Sequence, residues 1–338
     1  MSGPDTRVVF AGRAAWIVQQ ARAISAAANL VEAGPAADFG SVLDSVRRCQ
    51  PQVVLMDLEG ADSDALAAIE AIMAERPTPI LLLLPPSVDR QEAMKAMAAG
   101  ALDVLERPLK LGPDFVRALE ARARLLSRVA VVAHPRGKRK RRHEKPKGPG
   151  QAFPIVAIAA SLGGPRALAT LLKALPKDFQ PPIALCQHIT PGFADDLARW
   201  LAASTRRDVR QATDGVRLEA GVAYVAPSAA HLRIRHDATL ELDPGPEVGG
   251  FKPSCDVLLS TAAESFGNRC IGVVLTGMGR DGAIGLLEVR KRGGHTIAQD
   301  EATSVVFGMP GEAIALGAAE AVLPLEEIAP RLAKWSKE

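Results

Sequence analysis

Unbroken apolar runs alternate with helical patterns along both halves of this 338-residue chain, and this alternation restricts its fold more than any other feature. Runs such as "QVVLMDLE" and "FPIVAIAA" predict strands that are buried on both faces. Segments such as "ALAAIEAIMAER" place apolar residues three and four positions apart, as helices do. Because such strands need helices on both sides, we predict an α/β fold with two doubly wound parallel sheets.

A basic segment divides the chain. Residues 134–150, "HPRGKRKRRHEKPKGPG", hold eight Lys or Arg against one Glu and show no apolar periodicity. We therefore predict one domain at 1–128, a flexible basic linker at 129–150 and a second domain at 151–338. The segment could also contact nucleic acid, but it has no interleaved aromatic residues for base stacking, so we expect no nucleic-acid partner.

Composition excludes several other classes of protein. No run approaches 18 consecutive apolar residues, so we expect no membrane insertion. The start, "MSGPDTR", lacks the features of a secretion signal, and we expect a cytoplasmic protein. The four cysteines form no CxxC pair, so neither a zinc site nor a disulfide scaffold is indicated. The charge distribution is compatible with a monomer.

The first half, with "VVLMD" in the middle and "LERPL" near its end, resembles a response-regulator receiver domain. The resemblance implies that Asp57 is the candidate phosphoacceptor and that two acids after the first strand would hold Mg²⁺. Gly12 and Arg13 occupy those two positions, Leu84 replaces the expected hydroxyl residue, and Arg107 replaces the expected lysine. Without metal ligands, phosphoryl transfer to Asp57 is disfavoured. We predict a degenerate receiver in which Arg13 places a fixed cation beside Asp57.

In the second half, three apolar runs each lead to a residue with reactive chemistry. "FPIVAIAA" leads to Ser161, "PPIALCQ" to His188 and "CIGVVLTGMGR" to Asp281. The carboxyl ends of parallel strands share one crevice, so these side chains can meet as nucleophile, base and orienting acid. Each also has a structural alternative: Ser161 could cap a helix, His188 could cap a strand and Asp281 could be a turn residue. "SLGGP" matches neither the dinucleotide-binding nor the P-loop pattern.

Six blocks of the second half resemble the chemotaxis protein-glutamate methylesterase (CheB) family. The blocks are "VAIAASLGGPRAL", "CQHITPGFADDLA", "AYVAPSAAHLRI", "KPSCDVLLSTAAE", "GVVLTGMGRDGAIGL" and "IAQDEATSVVFGMPGEAI". The resemblance implies that Ser161 is the nucleophile, His188 the general base and Asp281 the residue that orients it. It also implies removal of methyl esters from chemoreceptor glutamates with release of methanol, possible deamidation of receptor glutamines, and no need for a metal or an organic cofactor.

Further residues and partners follow from the same resemblance. The oxyanion would bind to the backbone N–H groups of Met278 and Leu162, and Leu162 stands where the family usually has a small hydroxyl residue. A chemoreceptor helix would approach the loops at four glycines, Gly163, Gly164, Gly277 and Gly279. A histidine kinase or another chemosensory protein would dock on the receiver-like domain. The alternative function is a non-catalytic regulatory scaffold.

Overall fold

The computed structural model describes residues 6–13, 15–59, 63–131 and 154–337. The chain divides into two compact units, Met1–His134 and Pro135–Glu338. This division falls inside the predicted linker, of which residues 132–150 lie outside the described part of the chain. The predicted bounds of the linker and of the two domains therefore remain predictions.

The first unit contains one five-stranded parallel sheet with strand order β2-β1-β3-β4-β5. This is the flavodoxin-like doubly wound order, which confirms the predicted class. The short strand β2 and the helix α2 had no clear signal in the sequence. The strands are β1 Thr6–Ala11, β2 Leu30–Glu32, β3 Val53–Asp57, β4 Ile80–Leu84 and β5 Asp103–Glu106; the helices are α1 Ala15–Ala27, α2 Val42–Cys49, α3 Ser63–Glu75, α4 Arg90–Ala99 and α5 Pro113–Leu126.

The second unit contains a seven-stranded parallel sheet with strand order β14-β13-β12-β6-β7-β9-β8, and an antiparallel hairpin of β10 and β11. Its strands are β6 Ile155–Ala160, β7 Ile183–Gln187, β8 Val209–Gln211, β9 Ala223–Val225, β10 His231–Ile234, β11 Leu240–Asp243, β12 Cys270–Val274, β13 His295–Gln299 and β14 Ala321–Leu323. Its helices are α6 Gly164–Ala174, α7 Ala194–Thr205, α8 Cys255–Phe266, α9 Ala283–Lys291, α10 Met309–Ala315 and α11 Leu325–Trp335.

The central strands explain why the apolar runs in the sequence are continuous. Every residue of β3, β4, β6, β7 and β12 is buried, because helices cover both faces of each sheet. In the second unit, β6 leads through α6 to β7, whereas its other neighbour, β12, leads through α9 to β13. The connections after β6 and β12 therefore diverge, and the carboxyl end of these two strands is the place where open α/β sheets bind their ligands.

Among the helices described, none combines the length and the apolar character needed to cross a membrane.

Candidate active site

Ser161 and His188 lie side by side because β6 and β7 pair in register. Ala160 is opposite Gln187, and the backbone N–H of His188 donates to the Ala160 carbonyl at 3.0 Å. The buried Gln187 side chain then joins the two residues, since its Nε2 donates to the Ser161 carbonyl at 2.8 Å and to the His188 carbonyl at 2.7 Å. Strand pairing and one amide thus fix the spacing of the predicted nucleophile and base.

Asp281 reaches the same place from a loop. We expected the third strand to lead directly to Asp281, but β12 ends at Val274, seven positions earlier. The intervening segment turns at Gly279, where φ is +88°, a conformation that cannot continue a strand. His188 Nε2 lies 2.8 Å from Asp281 Oδ2, so the structure pairs the two residues as predicted.

The Asp281 carboxylate is held by the start of helix α8. Its Oδ1 accepts hydrogen bonds from Ser254 Oγ at 2.8 Å and from the Asp256 N–H at 2.9 Å. Its Oδ2 also accepts from the Cys255 N–H at 2.7 Å. Burial raises the pKa of Asp281, but the hydrogen bonds from His188 and from this helix start outweigh burial and lower the pKa below its ordinary value. Asp281 is therefore ionised and fixed before substrate binds.

Sequence reasoning missed this support, although a signal for it was present. Ser254 occupies the N-cap position of α8, and its Oγ accepts from the Val257 N–H at 3.4 Å. "PSCDVLL" is the serine-then-apolar pattern that marks a helix start. Buried His231 completes the arrangement, because its Nδ1 accepts from the Ser254 N–H at 3.1 Å. The pattern predicts the helix start, but nothing in it indicates that Asp281 lies there.

The His188 imidazole is largely buried, and one of its two ring nitrogens makes no hydrogen bond to the described residues. Its ring stacks on Phe251 with centroids 4.4 Å apart, and its Nε2 also lies 3.5 Å from Cys255 Sγ. Burial lowers the pKa of His188, but the Cys255 sulfur and the hydrogen bond to Asp281 raise it, and the net result is a pKa above the ordinary 6.5. Nδ1 is buried and makes no hydrogen bond within the described chain. Since Nε2 faces Asp281, Nδ1 is the nitrogen left to accept a proton.

The surroundings of Ser161 exclude its role as a helix cap. Helix α6 begins at Gly164, and its cap position is Gly163, so the Ser161 hydroxyl caps nothing. The Ser161 N–H donates to the Thr276 carbonyl at 3.0 Å, and Thr276 Oγ1 donates to the Leu162 carbonyl at 2.9 Å. Within the described residues, the N–H groups of Leu162 and Met278 donate no hydrogen bond. They remain candidates for the oxyanion donors.

Three of the four predicted substrate-loop glycines have a different role, which corrects the sequence-based interpretation. Gly163, Gly164 and Gly277 are buried, and a Cβ atom on any of them would meet protein atoms. At Gly163 it would lie 2.8 Å from Val305 Cβ, and at Gly277 it would lie 2.8 Å from Ser161 Cβ. These glycines allow the loops to pack around the nucleophile. Gly279 is exposed, and of the four it alone remains a candidate for contact with substrate.

In the first unit, Asp57 is fully buried at the end of β3, and its cation is Arg107. Arg107 Nε lies 2.7 Å from Asp57 Oδ2, whereas Arg13 pairs with Asp64, so the prediction that Arg13 supplies the cation was wrong. Burial raises the pKa of Asp57, although the Glu59 N–H and Arg107 oppose the rise.

Two of the other receiver positions, Gly12 and Leu84, supply neither a carboxylate nor a hydroxyl group. A Cβ atom on Gly12 would be 3.2 Å from Asp57 Cβ, so the Gly12 position is beside Asp57 but supplies no carboxylate. Leu84 is a buried apolar residue at the end of β4.

Side chains able to hold a metal ion also occur at the histidine. Among the described residues, Cys186, His188 and Cys255 bring their ligand atoms within 4.8 Å of one another. Their positions in the sequence gave no indication of this grouping, because two of them come from β7 and its end while the third begins α8.

Comparison with known proteins points to one family. The family model for CheB methylesterase matches residues 156–332. Protein-glutamate methylesterase FrzG of Myxococcus xanthus is 51% identical over 93% of this chain and 94% of its own length. A protein-glutamate methylesterase/protein-glutamine glutaminase of Anaeromyxobacter dehalogenans is 46% identical over 91% of this chain and 90% of its own.

A solved structure extends the match to the fold of the second unit. The catalytic domain of the Thermotoga maritima CheB methylesterase is 38% identical, with a TM-score of 0.53, and the match covers 54% of this chain and 99% of that domain. The family model and the solved domain match the unit that carries Ser161, His188 and Asp281, and the two relatives match more than nine-tenths of the chain, this unit included. The chain therefore belongs to the CheB methylesterase family.

Proposed function

We propose that Ser161, His188 and Asp281 catalyse the hydrolysis of glutamate methyl esters on chemoreceptors. The observation that supports this most strongly is the 2.8 Å contact between His188 and a pre-fixed Asp281, beside a serine at the carboxyl edge of the sheet. Retention of this arrangement favours an enzyme over a non-catalytic scaffold. The relatives named above are themselves called protein-glutamate methylesterases.

The first half of the reaction forms an ester on the serine. Ser161 Oγ attacks the ester carbonyl while His188 Nδ1 accepts its proton, and Asp281 stabilises the resulting imidazolium. The N–H groups of Leu162 and Met278 would bind the developing oxyanion. When the tetrahedral intermediate collapses, the C–O bond to the methoxy group breaks, and the imidazolium returns the proton to release methanol.

The second half restores the enzyme. His188 Nδ1 removes a proton from water, whose oxygen attacks the acyl carbon, and the bond to Ser161 Oγ then breaks as the serine regains a proton. The product is the free glutamate side chain. A glutamine side chain would follow the same route with ammonia as the leaving group. The Anaeromyxobacter relative is named as a protein-glutamine glutaminase as well as a methylesterase.

The surroundings of Asp57 do not favour control of the esterase by phosphorylation of this residue. Asp57 is buried and paired with Arg107, and Gly12 supplies no metal ligand beside it. We infer that catalysis proceeds without phosphorylation, and that a histidine kinase or another chemosensory protein docks on the first unit. The enzyme would act as a monomer in the cytoplasm.

The test is methanol release from receptor membranes that carry labelled methyl groups. The intact chain should release methanol, and Ser161→Ala should reduce release to background. Ser204→Ala, on the outer helix α7, is the matched control and should keep the full rate. Release by Ser161→Ala at the rate of the intact chain would contradict the assigned nucleophile.

A further inference from the structure

Two buried thiols lie against the catalytic histidine. Cys186 is in β7, two residues before His188, and Cys255 is the first residue of α8. Both side chains are essentially inaccessible to solvent, with exposures of 1% and 0%. Their Sγ atoms and a ring nitrogen of His188 lie within 4.8 Å of one another, and Cys255 Sγ is 3.5 Å from His188 Nε2. Folding thus gathers two soft sulfur ligands and one imidazole ligand.

These separations are those of a soft-metal site. A tetrahedral zinc ion with bonds of about 2.3 Å to sulfur and about 2.0 Å to nitrogen separates S from N by about 3.6 Å and S from S by about 3.8 Å. The observed S···N distance of 3.5 Å is already close to that value. The sulfur atoms need a movement of about 1 Å or less, which a side-chain rotation supplies.

The charges also balance. Two thiolates offset the charge of a divalent ion, so the occupied site is neutral despite its burial. Burial raises the pKa of the Cys255 thiol well above its ordinary value, so metal binding has to displace a proton. Asp281 Oδ2, 2.8 Å from Nε2, lies beside the three ligands, and its hydrogen bond from the start of α8 holds it there.

We propose that Cys186, Cys255 and His188 form an inhibitory site for a soft divalent metal ion such as Zn²⁺ or Cd²⁺. The ion takes the lone pair of Nε2, so the ring proton must move to Nδ1. Nδ1 is the nitrogen that accepts the Ser161 proton in the proposed mechanism. The occupied enzyme therefore cannot activate its nucleophile, and removal of the ion by a chelator restores it. The loss of activity rests on the proposed function, whereas the binding itself does not.

The binding test uses Cd²⁺ with the metal-free, full-length chain and follows the ultraviolet charge-transfer absorption of cadmium thiolates. The intact chain should bind one Cd²⁺ at this site, and Cys186→Val and Cys255→Val should each weaken binding at least tenfold. Cys270→Ala is the matched control, because Cys270 is equally buried in β12 but lies outside the group.

Activity provides the second measurement, taken for each variant as the ratio of rates with and without Cd²⁺. Cd²⁺ should inhibit the intact chain reversibly and should inhibit Cys255→Val at least tenfold less. Ser161→Ala should be inactive yet still show the thiolate absorption, which separates failure of the metal site from failure of the proposed catalysis. Absence of the absorption in the intact chain, or its persistence in both valine variants, would overturn the proposal.

Discussion

The carboxyl edges of the two sheets share one architecture but differ in the partner of their buried acid. In the first unit, the acid at the end of β3, Asp57, is fully buried and neutralised by Arg107 at 2.7 Å. In the second unit, the acid in the β12–α9 connection, Asp281, is also buried, but the second ring nitrogen of its partner His188 makes no hydrogen bond to any residue that the structure describes. A parallel sheet places polar groups at its edge in both cases. Chemistry requires in addition that one of those groups can still accept a proton.

The largest effect is expected from changing the orienting acid of the second unit. Asp281→Asn keeps the size of the side chain but removes the charge that stabilises imidazolium, and the same change in another Ser-His-Asp triad lowers kcat about 10⁴-fold. We expect a fall of this order in methanol release. Asp237→Asn, an exposed acid of the same unit, is the control. A reduction of less than about tenfold (about 1.4 kcal/mol) would show that Asp281 does not serve the reaction.

The corresponding change in the first unit should affect stability rather than catalysis. Arg107→Ala leaves Asp57 buried without its cation, which typically costs about 3–5 kcal/mol. We expect this loss in the denaturant unfolding of the intact chain, while the folded variant retains its methanol-release rate. The double variant Arg107→Ala/Asp57→Ala should recover part of the loss, because no unpaired charge remains buried. If Arg107→Ala and the unchanged chain had the same free energy of unfolding, the Arg107–Asp57 ion pair would not contribute to stability as proposed.

Filling a glycine position at the active edge should have a smaller effect. In Gly164→Ala, the new methyl group would lie 2.9 Å from Ala160 Cβ and would collide with the Gln187 amide. Overpacking of this kind costs about 1–3 kcal/mol, and it also disturbs the amide that joins Ser161 to His188. Gly112→Ala, where a Cβ atom meets nothing within 4 Å, should change the unfolding midpoint very little.

The pH dependence should give the smallest but most specific effect. His188 has to be neutral to accept a proton, and its pKa in the folded protein is raised above 6.5. The rate should therefore fall tenfold per unit as pH drops below that raised pKa, with the midpoint of the acid limb above 6.5. Asp281→Asn should move the midpoint downwards, because it removes the negative charge that favours imidazolium. A midpoint below 6.5 in the unchanged chain would contradict the direction of the shift.

Local patterns predicted the parts of the molecule that depend on neighbouring residues. Continuous apolar runs indicated the central strands, and the positions of Ser161 and His188 follow from strand ends that strand pairing brings together. The apolar run "CIGVVLTGMGR" pointed to Asp281, and the family resemblance gave it the orienting role. Its position seven residues beyond β12 depends on a loop path, and no periodicity in the sequence encodes that path. The short strands β2, β8, β9 and β14 are three residues each, too short for a recognisable pattern.

Contacts between segments that are far apart in the chain could not be predicted from the sequence patterns. The stacking of Phe251 on His188 and the two thiols beside it join the ends of β7 with the start of α8. The glycines illustrate the same limit, because their spacing shows backbone freedom but does not show which side chain fills the adjacent space. At Gly164 it is the Gln187 amide, 23 positions later in the chain. The sequence analysis named Arg13 as the cation beside Asp57, whereas the fold places Arg107 there, 50 positions later in the chain.

The most direct test of the contrast between the two sheet edges is methanol release by the intact chain with and without a small phosphodonor and Mg²⁺, while labelling of Asp57 is monitored. We expect the same rate in both conditions and no label on Asp57. A rise of tenfold or more, equivalent to about 1.4 kcal/mol of barrier, accompanied by label on Asp57, would contradict this expectation, because the edge of the first sheet would then be chemically active and in control of the second.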